Sequence, residues 1–295
     1  MDYNKRPGKN ITTIGDLLNK NIKPTISIIT PFYNGGETLL ETANSVISQT
    51  YPFFEWIIVN DGSPDKESVK KLENVSKIDS RIKVYHKENG GPSDTRDFGI
   101  KKSFKDTKYI FFLDCDDIME NTMLEVLYWT LETHKDASFA YTTMVNFGDR
   151  EFIWEQYLTV EKEKRDNLIC ISTMIRKEDL LSVGCFEIKE KAMYEDWNLW
   201  LKLLAAGKKP IRVNAPIFWY RINSTGEFQR AKQNNDKAMA LINGTASTIK
   251  KDVEIIQYPR INKKYEIKDL KNMLLPEYKC NKKKILFILP WTVLG

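Results

Sequence analysis

The chain has 295 residues, a net charge of +5, four cysteines and two histidines. That length suits one large domain or two modest ones, and the apolar and charged fractions are those of a soluble globular protein. The mild charge argues against nucleic acid, no C-x-x-C pair or histidine cluster offers a zinc site, and the N-terminus lacks an apolar signal core.

Residues 1–23 are polar and read as an arm. From Thr25 the β-branched run TISIIT predicts a strand, ending at Pro31 and Tyr33. A polar turn with Gly35-Gly36 follows, and then Leu39, Leu40, Ala43, Val46 and Ile47 recur at helical spacing. This is the opening unit of a doubly wound α/β fold. Neither G-x-G-x-x-G nor a P-loop is present, so phosphates must be held in another way.

Trp56–Val59 is a second strand, closed by Asn60-Asp61-Gly62. Asp61 at a strand's carboxyl end could accept from a nucleobase or a ribose, although Asp-Gly is also an ordinary turn pair. Ser63-Pro64-Asp65 opens a helix through Ile78, and Arg81–His86 is a third strand. Ser93 or Asp94 caps the next helix. Arg96 falls in its first turn, where a cation opposes the helix dipole, so it is either a surface residue or faces an anion or an acidic turn.

The densest signal is KYIFFLDCDDIME, residues 108–120. A continuous apolar run predicts a strand buried on both faces. It stops at Asp114, Asp116 and Asp117. Three carboxylates at a buried strand's end repel unless a cation sits among them, and Mg²⁺ or Mn²⁺ with substrate phosphates is the simplest answer. An acidic turn capping the next helix is the plainer reading.

Downstream, the pattern predicts a helix over 122–134, a strand over 137–147, an irregular stretch over 148–167 with a small hairpin, and a strand over 168–175. A short helix over 177–183 follows. AMYEDWNLWLKLLAAG then predicts a helix closed by Gly207. Glu195 and Asp196 stand at its N-terminus, either as a cap or as carboxylates at a pocket rim with Trp197 beside them as a platform for an acceptor sugar. Strands at 211–213 and 217–222 close the globular part, a polar helix spans 227–252, and Lys-rich sequence continues to 284.

Five motifs in order (PFYN, SQTYPFFEWIIVNDGSPD, NGGPSDTRDFGI, YIFFLDCDDIM and YEDWNLWLKL) make roughly Thr25 to Asn223 resemble the family 2 glycosyltransferases. That resemblance implies the GT-A fold: an α/β, mostly parallel doubly wound sheet over 24–226, with a helical extension over 227–284. It implies that Pro31 and Tyr33 line a nucleoside pocket, that Asp61 binds the base and that Arg96 and Asp114 lie near the nucleotide. It also implies that Asp116 and Asp117 belong to the motif for Mn²⁺ or Mg²⁺, with Asp116 the direct ligand, and that Asp196 is the catalytic base with Glu195 beside it. Three positions depart from the family pattern: Asn60, Asp97 and Asn223 stand where Asp, Asn and His are usual.

The implied reaction is inverting transfer from a nucleotide-diphosphate sugar, with UDP the favoured nucleotide, to a glycan or lipid-linked acceptor. Bacterial surface polysaccharide synthesis, at the cytoplasmic face of a membrane, is the expected setting. A catalytically silent binding module of the same fold is the alternative, and a nucleotidyltransferase is disfavoured because FYNGGETLL lacks basic residues. Finally, KKKILFILPWTVLG at 282–295 resembles the first strand and glycine turn of a family 4, GT-B glycosyltransferase, which leads to the expectation of a second domain beginning at 285.

Overall fold

The structure is a computed structural model that describes residues 23–154, 157–187, 194–223, 236–250 and 253–258. The arm and the 285–295 segment lie outside the described residues.

In chain order, β1 (Ile26–Phe32), α1 (Leu39–Ile47), β2 (Phe54–Asp61), α2 (Lys66–Val75), β3 (Ile82–Lys87), α3 (Pro92–Lys102) and β4 (Tyr109–Phe112) form a repeating β/α unit. The sheet places these strands in the order β4-β1-β2-β3, all parallel. It continues past β4 through β8 (Met174–Arg176), β6 (Ala137–Gly148), β9 (Lys209–Ile222) and β10 (Ile256–Tyr258). β8 runs antiparallel to both neighbours, while β6, β9 and β10 are mutually parallel. Two short strands pair off this path: β5 (Ile118–Met119) on β9 and β7 (Phe152–Trp154) on β6.

The central strands are apolar along their whole length because helices cover both faces. Alternation decides which face each side chain enters. Ile28, Trp56, Ile58 and Phe111 pack with α1, α2 and α4 (Met123–Thr133) on one side. Ile29, Ile57, Ile110 and Phe112 pack on the other with Ile100 of α3 and Leu199, Trp200 and Leu203 of α7 (Glu195–Ala205). α7 has a second apolar face: Trp197, Leu201 and Leu204 meet Ile242, Ala246 and Ile249 from α8 (Asp236–Thr248) and the residue just after it. α8 therefore packs on the sheet's outer helix.

Several expected elements change. Residues 211–213 and 217–222 form one strand: a register shift between Thr142/Val213 and Thr143/Pro216 takes up Asn214 and Ala215 as an irregularity, so Pro216 does not end β9. Of the expected strand 168–175 only β8 at its end is a strand, because a tight turn intervenes in which the Thr173 amide donates to Ile171 O at 2.7 Å and the Thr173 hydroxyl to Cys170 O at 2.8 Å. α3 begins at Pro92 behind Gly91, whose φ of 88 suits glycine, rather than at a Ser93 or Asp94 cap. Two short helices, α5 (Val160–Glu163) and α6 (Lys177–Ser182), are the other helices among the described residues.

Candidate active site

The parallel order brings the turns after β1, β2 and β4 to one sheet edge, the place where open α/β sheets bind ligands. The first two turns are stitched together by Asn34. Its amide N–H donates to Ser63 Oγ at 3.0 Å, and its Oδ1 accepts from the Asp65 amide at 3.2 Å. Asn34 takes φ 53, a left-handed value that asparagine tolerates. Pro31 is half-buried at the end of β1, and Tyr33 is exposed beside it.

Asp61 is the last residue of β2 and is buried. Its Oδ1 accepts from Lys87 Nζ at 2.8 Å and the Gly90 amide at 2.9 Å, and its Oδ2 from the Gly91 amide at 2.8 Å. Burial pushes its carboxyl up, but the Lys87 ammonium, the two amides and Thr95 outweigh burial and hold it below the usual range. Lys87 also pairs with Asp94 at 2.7 Å. Asp61 therefore already organises the glycine loop that starts α3. An ionised carboxylate has about four acceptor positions, so Lys87, the two amides and Thr95 already engage most of them.

With α3 starting at Pro92, Arg96 falls in its second turn rather than its first, and its partners explain a cation there. It is buried, and its guanidinium donates to Asp114 at 2.7 Å and to Glu195 at 2.6 Å. It joins the end of β4 to the start of α7, bringing the acidic turn and the EDW motif into one site. Phe186 lies 5.8 Å from the guanidinium and is held by a 3.4 Å bond from its amide to Asp97. Asp97, at a position where the family pattern has Asn, thus supports the residue that covers Arg96.

The acidic turn is gripped from two sides. The Thr38 and Thr42 hydroxyls of the α1 region donate to Cys115 O at 3.2 and 3.0 Å. A Cβ at Gly35 would stand 2.4 Å from Cys115 Sγ, so a larger residue there would make the thiol swing aside. From the other side comes Arg221 of β9, which sequence reasoning missed. Its backbone amide donates to Asp117 Oδ1 at 2.8 Å, its Nε donates to Asp116 O at 2.8 Å, and its guanidinium also pairs with Glu41. The motif FWYRIN carried the signal, but only its Asn223, exposed just past β9, drew notice.

The three aspartates are thus not equivalent. Asp114 is partly exposed and faces Arg96. Asp117 is fully buried, with Oδ2 unpartnered; burial, then Asp116 and Asp114, push its carboxyl well up against the pull of the Arg221 amide. Among the described residues no three His, Cys, Asp or Glu side chains already surround one point. A hard cation held by one or two carboxylates and the ligand's phosphates needs no such cage, and the all-oxygen donor set of this turn fits it.

At α7, Tyr194 precedes the helix with φ 75. Asp196 Oδ1 accepts from the Trp197 amide at 2.8 Å and from Asn167 Nδ2 at 3.1 Å. Burial and then Glu195 push the Asp196 carboxyl up to about 7, against the lowering bonds from Asn167 and Trp197 and the charge of Arg96. Trp197 differs from expectation. It is 5% exposed, packs against α8 and donates from its indole to Glu163 O at 2.6 Å. α7 is buried on two faces, and Trp197 lies on the one under α8, so its ring is not a rim platform for an acceptor sugar.

Comparison with known proteins agrees with this architecture. The profile described as Glycosyl transferase family 2 matches residues 27–189. The chain is 32% identical over 209 residues to the putative teichuronic acid biosynthesis glycosyltransferase TuaG of Bacillus subtilis, covering 68% of this chain and 81% of TuaG. It is 30% identical over 231 residues to the minor teichoic acid biosynthesis protein GgaB of the same species, covering 74% of this chain but only 25% of GgaB. Among solved structures, S. aureus TarS 1–349 in complex with UDP-GlcNAc superposes with a TM-score of 0.65 at 18% identity, covering 78% of this chain and 68% of that one. A mannosyltransferase from Pyrobaculum calidifontis, solved with GDP-Man and Mn²⁺, gives 0.58 at 12% identity, covering 77% and 69%. The structural matches carry the fold, and the profile together with TuaG carries the kinship: the chain belongs to glycosyl transferase family 2.

Proposed function

We propose that the chain transfers a sugar, with inversion, from a nucleotide-diphosphate sugar to a hydroxyl of a glycan or lipid-linked acceptor. The observation that carries this reading is the Arg96 bridge, which ties the acidic turn to the helix start that bears Asp196. In it, the nucleoside lies against Pro31 and Tyr33, with its base at Asp61. Asp116 and Asp117 would hold Mn²⁺ or Mg²⁺ on the diphosphate, with Asp114, fixed by Arg96, beside the nucleotide. When bound, that cation stabilises negative charge on the departing diphosphate.

The chain's own residues do the rest. Asp196, ionised, takes the proton of the acceptor hydroxyl as that oxygen bonds to the anomeric carbon. The bond from that carbon to the diphosphate oxygen breaks, and the nucleoside diphosphate leaves with the electron pair. One base and one displacement invert the anomeric centre, and a carboxyl near 7 is matched to the task. Arg96 fixes Glu195, the base's neighbour, and keeps a positive charge near the transferring group.

UDP is the nucleotide we favour, since TarS was solved with UDP and with UDP-GlcNAc. The names of TuaG and GgaB support a role in a bacterial surface polysaccharide, built at the inner face of the membrane. Among the described residues no helix is long and apolar enough to cross a membrane. The chain spans a quarter of the length of GgaB.

A thermal-shift screen against UDP, GDP, dTDP and CDP, each with and without Mn²⁺, tests the donor site. A ligand at a hundredfold excess over its Kd adds about 2.7 kcal/mol of stability. We expect a metal-dependent shift with UDP that Asp116→Ala abolishes. No shift with any nucleotide overturns the reading and favours a binding module without a donor site.

A further inference from the structure

The segment between α5 and β8 contains no motif, yet it holds the proposed base. Asn167 Nδ2 donates to Asp196 Oδ1 at 3.1 Å, and the Trp197 amide donates to that same oxygen at 2.8 Å. Both bonds fall on Oδ1, which leaves Oδ2 as the oxygen to receive a proton. The other end of the amide, Asn167 Oδ1, is buried without a partner. A group that forgoes a bond on one side to make one on the other is being held in place by its frame.

That frame is Glu163, which is fully buried. Its Oε2 accepts from the Leu168 amide at 3.1 Å, the residue after Asn167. Its main-chain carbonyl accepts from the Trp197 indole at 2.6 Å, the residue after Asp196. One glutamate therefore anchors the neighbours of both partners and sets the distance between them. Its Oε1 is unpartnered, and burial, then Asp196 and Asp166, push its carboxyl well up against the Leu168 bond. In its neutral form it fixes the frame without adding a second negative charge behind the base.

We propose that Asn167 is a positioning residue for the Asp196 carboxylate, fixing Oδ1 so that Oδ2 takes the acceptor's proton, with Glu163 as the frame that holds Asn167 and α7 in register. The inference rests on the reading of Asp196 as the base. An amide suits the role better than an ammonium: a neutral donor orients the carboxylate while lowering its affinity for a proton less than a full positive charge at that distance would. The charged and titratable groups around Asp196 are Glu195 on α7, Arg96 on α3, Glu163 on α5, Cys170 in the following loop and Tyr220 on β9. Of the side chains among these and Asn167, only Asn167 donates a hydrogen bond to it.

The test reads Asp196 itself and needs no substrate. Aspartate ¹³Cγ resonances are followed from pH 4 to 10 in the full chain, and the Asp196 signal is identified by its loss in Asp196→Asn. A charge-assisted hydrogen bond shifts its acceptor's proton equilibrium roughly tenfold, so Asn167→Leu should raise the Asp196 midpoint by about one pH unit. Asn167→Asp keeps the shape but puts a carboxylate in the amide's place, and should raise it at least as far. Asn167→Gln, which keeps the donor, should return it towards the wild-type value. If Asn167→Leu fails to fold, the Asp and Gln variants make the same comparison. An Asp196 midpoint unchanged in the Asp variant, or raised equally by Asp and Gln, overturns the proposal. Donor turnover retained in Asp196→Asn would instead overturn the base assignment, so the two failures are distinguishable.

Discussion

Removing the guanidinium of Arg96 should be the most destabilising single change in the site. The side chain is 4% exposed and makes two short charge-assisted bonds, to Asp114 at 2.7 Å and Glu195 at 2.6 Å. Deleting one partner of a buried ion pair costs about 3–5 kcal/mol, because the remaining charge stays desolvated. Here two carboxylates would be left. Glu195 is 13% exposed and Asp114 is 28% exposed, so water relieves part of the penalty, and the low end applies. The expected loss in Arg96→Ala is about 3 kcal/mol, equivalent to a melting temperature lower by about 6–12 °C in a domain of this size. Arg96→Lys, with one point charge in place of a fork, should fall between wild type and Ala because it cannot satisfy both carboxylates. Urea unfolding followed by circular dichroism measures this directly. A loss under about 1 kcal/mol in Arg96→Ala would refute the view that this bridge holds the two halves of the site together.

Other perturbations have defined signs. The carboxyl of Asp196 stands near 7 and must be ionised to accept a proton, so kcat/KM should fall as pH drops through about 7, and Asp196→Asn should lose about 10²–10⁴ in rate above that pH with the gap narrowing below it; a flat wild-type profile contradicts this. Asp61 is held below its usual range, so its stabilising effect is fully present above about pH 4, the unfolded value, and is lost as pH falls through the lower folded value. Asp61→Asn should therefore lower the urea midpoint at pH 7 and match wild type below that folded value; an equal gap at both ends contradicts the linkage. Gly36→Ala would place a Cβ 2.6 Å from the Ser68 Cα, which belongs to the α2 backbone and cannot swing aside, so it should cost about 1–3 kcal/mol in urea unfolding.

How much of this was legible in the chain depends on range. The buried strands declared themselves because both their faces are covered, so Ile28 and Ile29, or Ile57 and Ile58, are apolar in succession yet serve opposite cores. The acidic strand end and the uncomfortable cation at Arg96 were legible as problems needing a solution. What solves them was not, because the partners are distant: Arg96 and Glu195 are 99 residues apart, and Arg221 and Glu41 are 180 apart. Trp197 misled because an aromatic beside two carboxylates looks the same whether its ring faces a cleft or a second helix, and α8 decides that. Residues 168–171 have strand composition, but their apolar side chains serve the core beside α7, while Glu163 and Thr173 bend the backbone out of the sheet. Asn167 had no signal of its own; only the geometry around Asp196 singles it out.

The proposed reaction is a displacement driven by one carboxylate base at the Arg96 bridge. The most direct measurement is ¹H NMR of the sugar first released from an α-linked UDP-sugar, with water as the acceptor, by wild type and Asp196→Asn. The β-anomer should appear before mutarotation and disappear with Asp196→Asn. An α-anomer, or equal release by the variant, would contradict it.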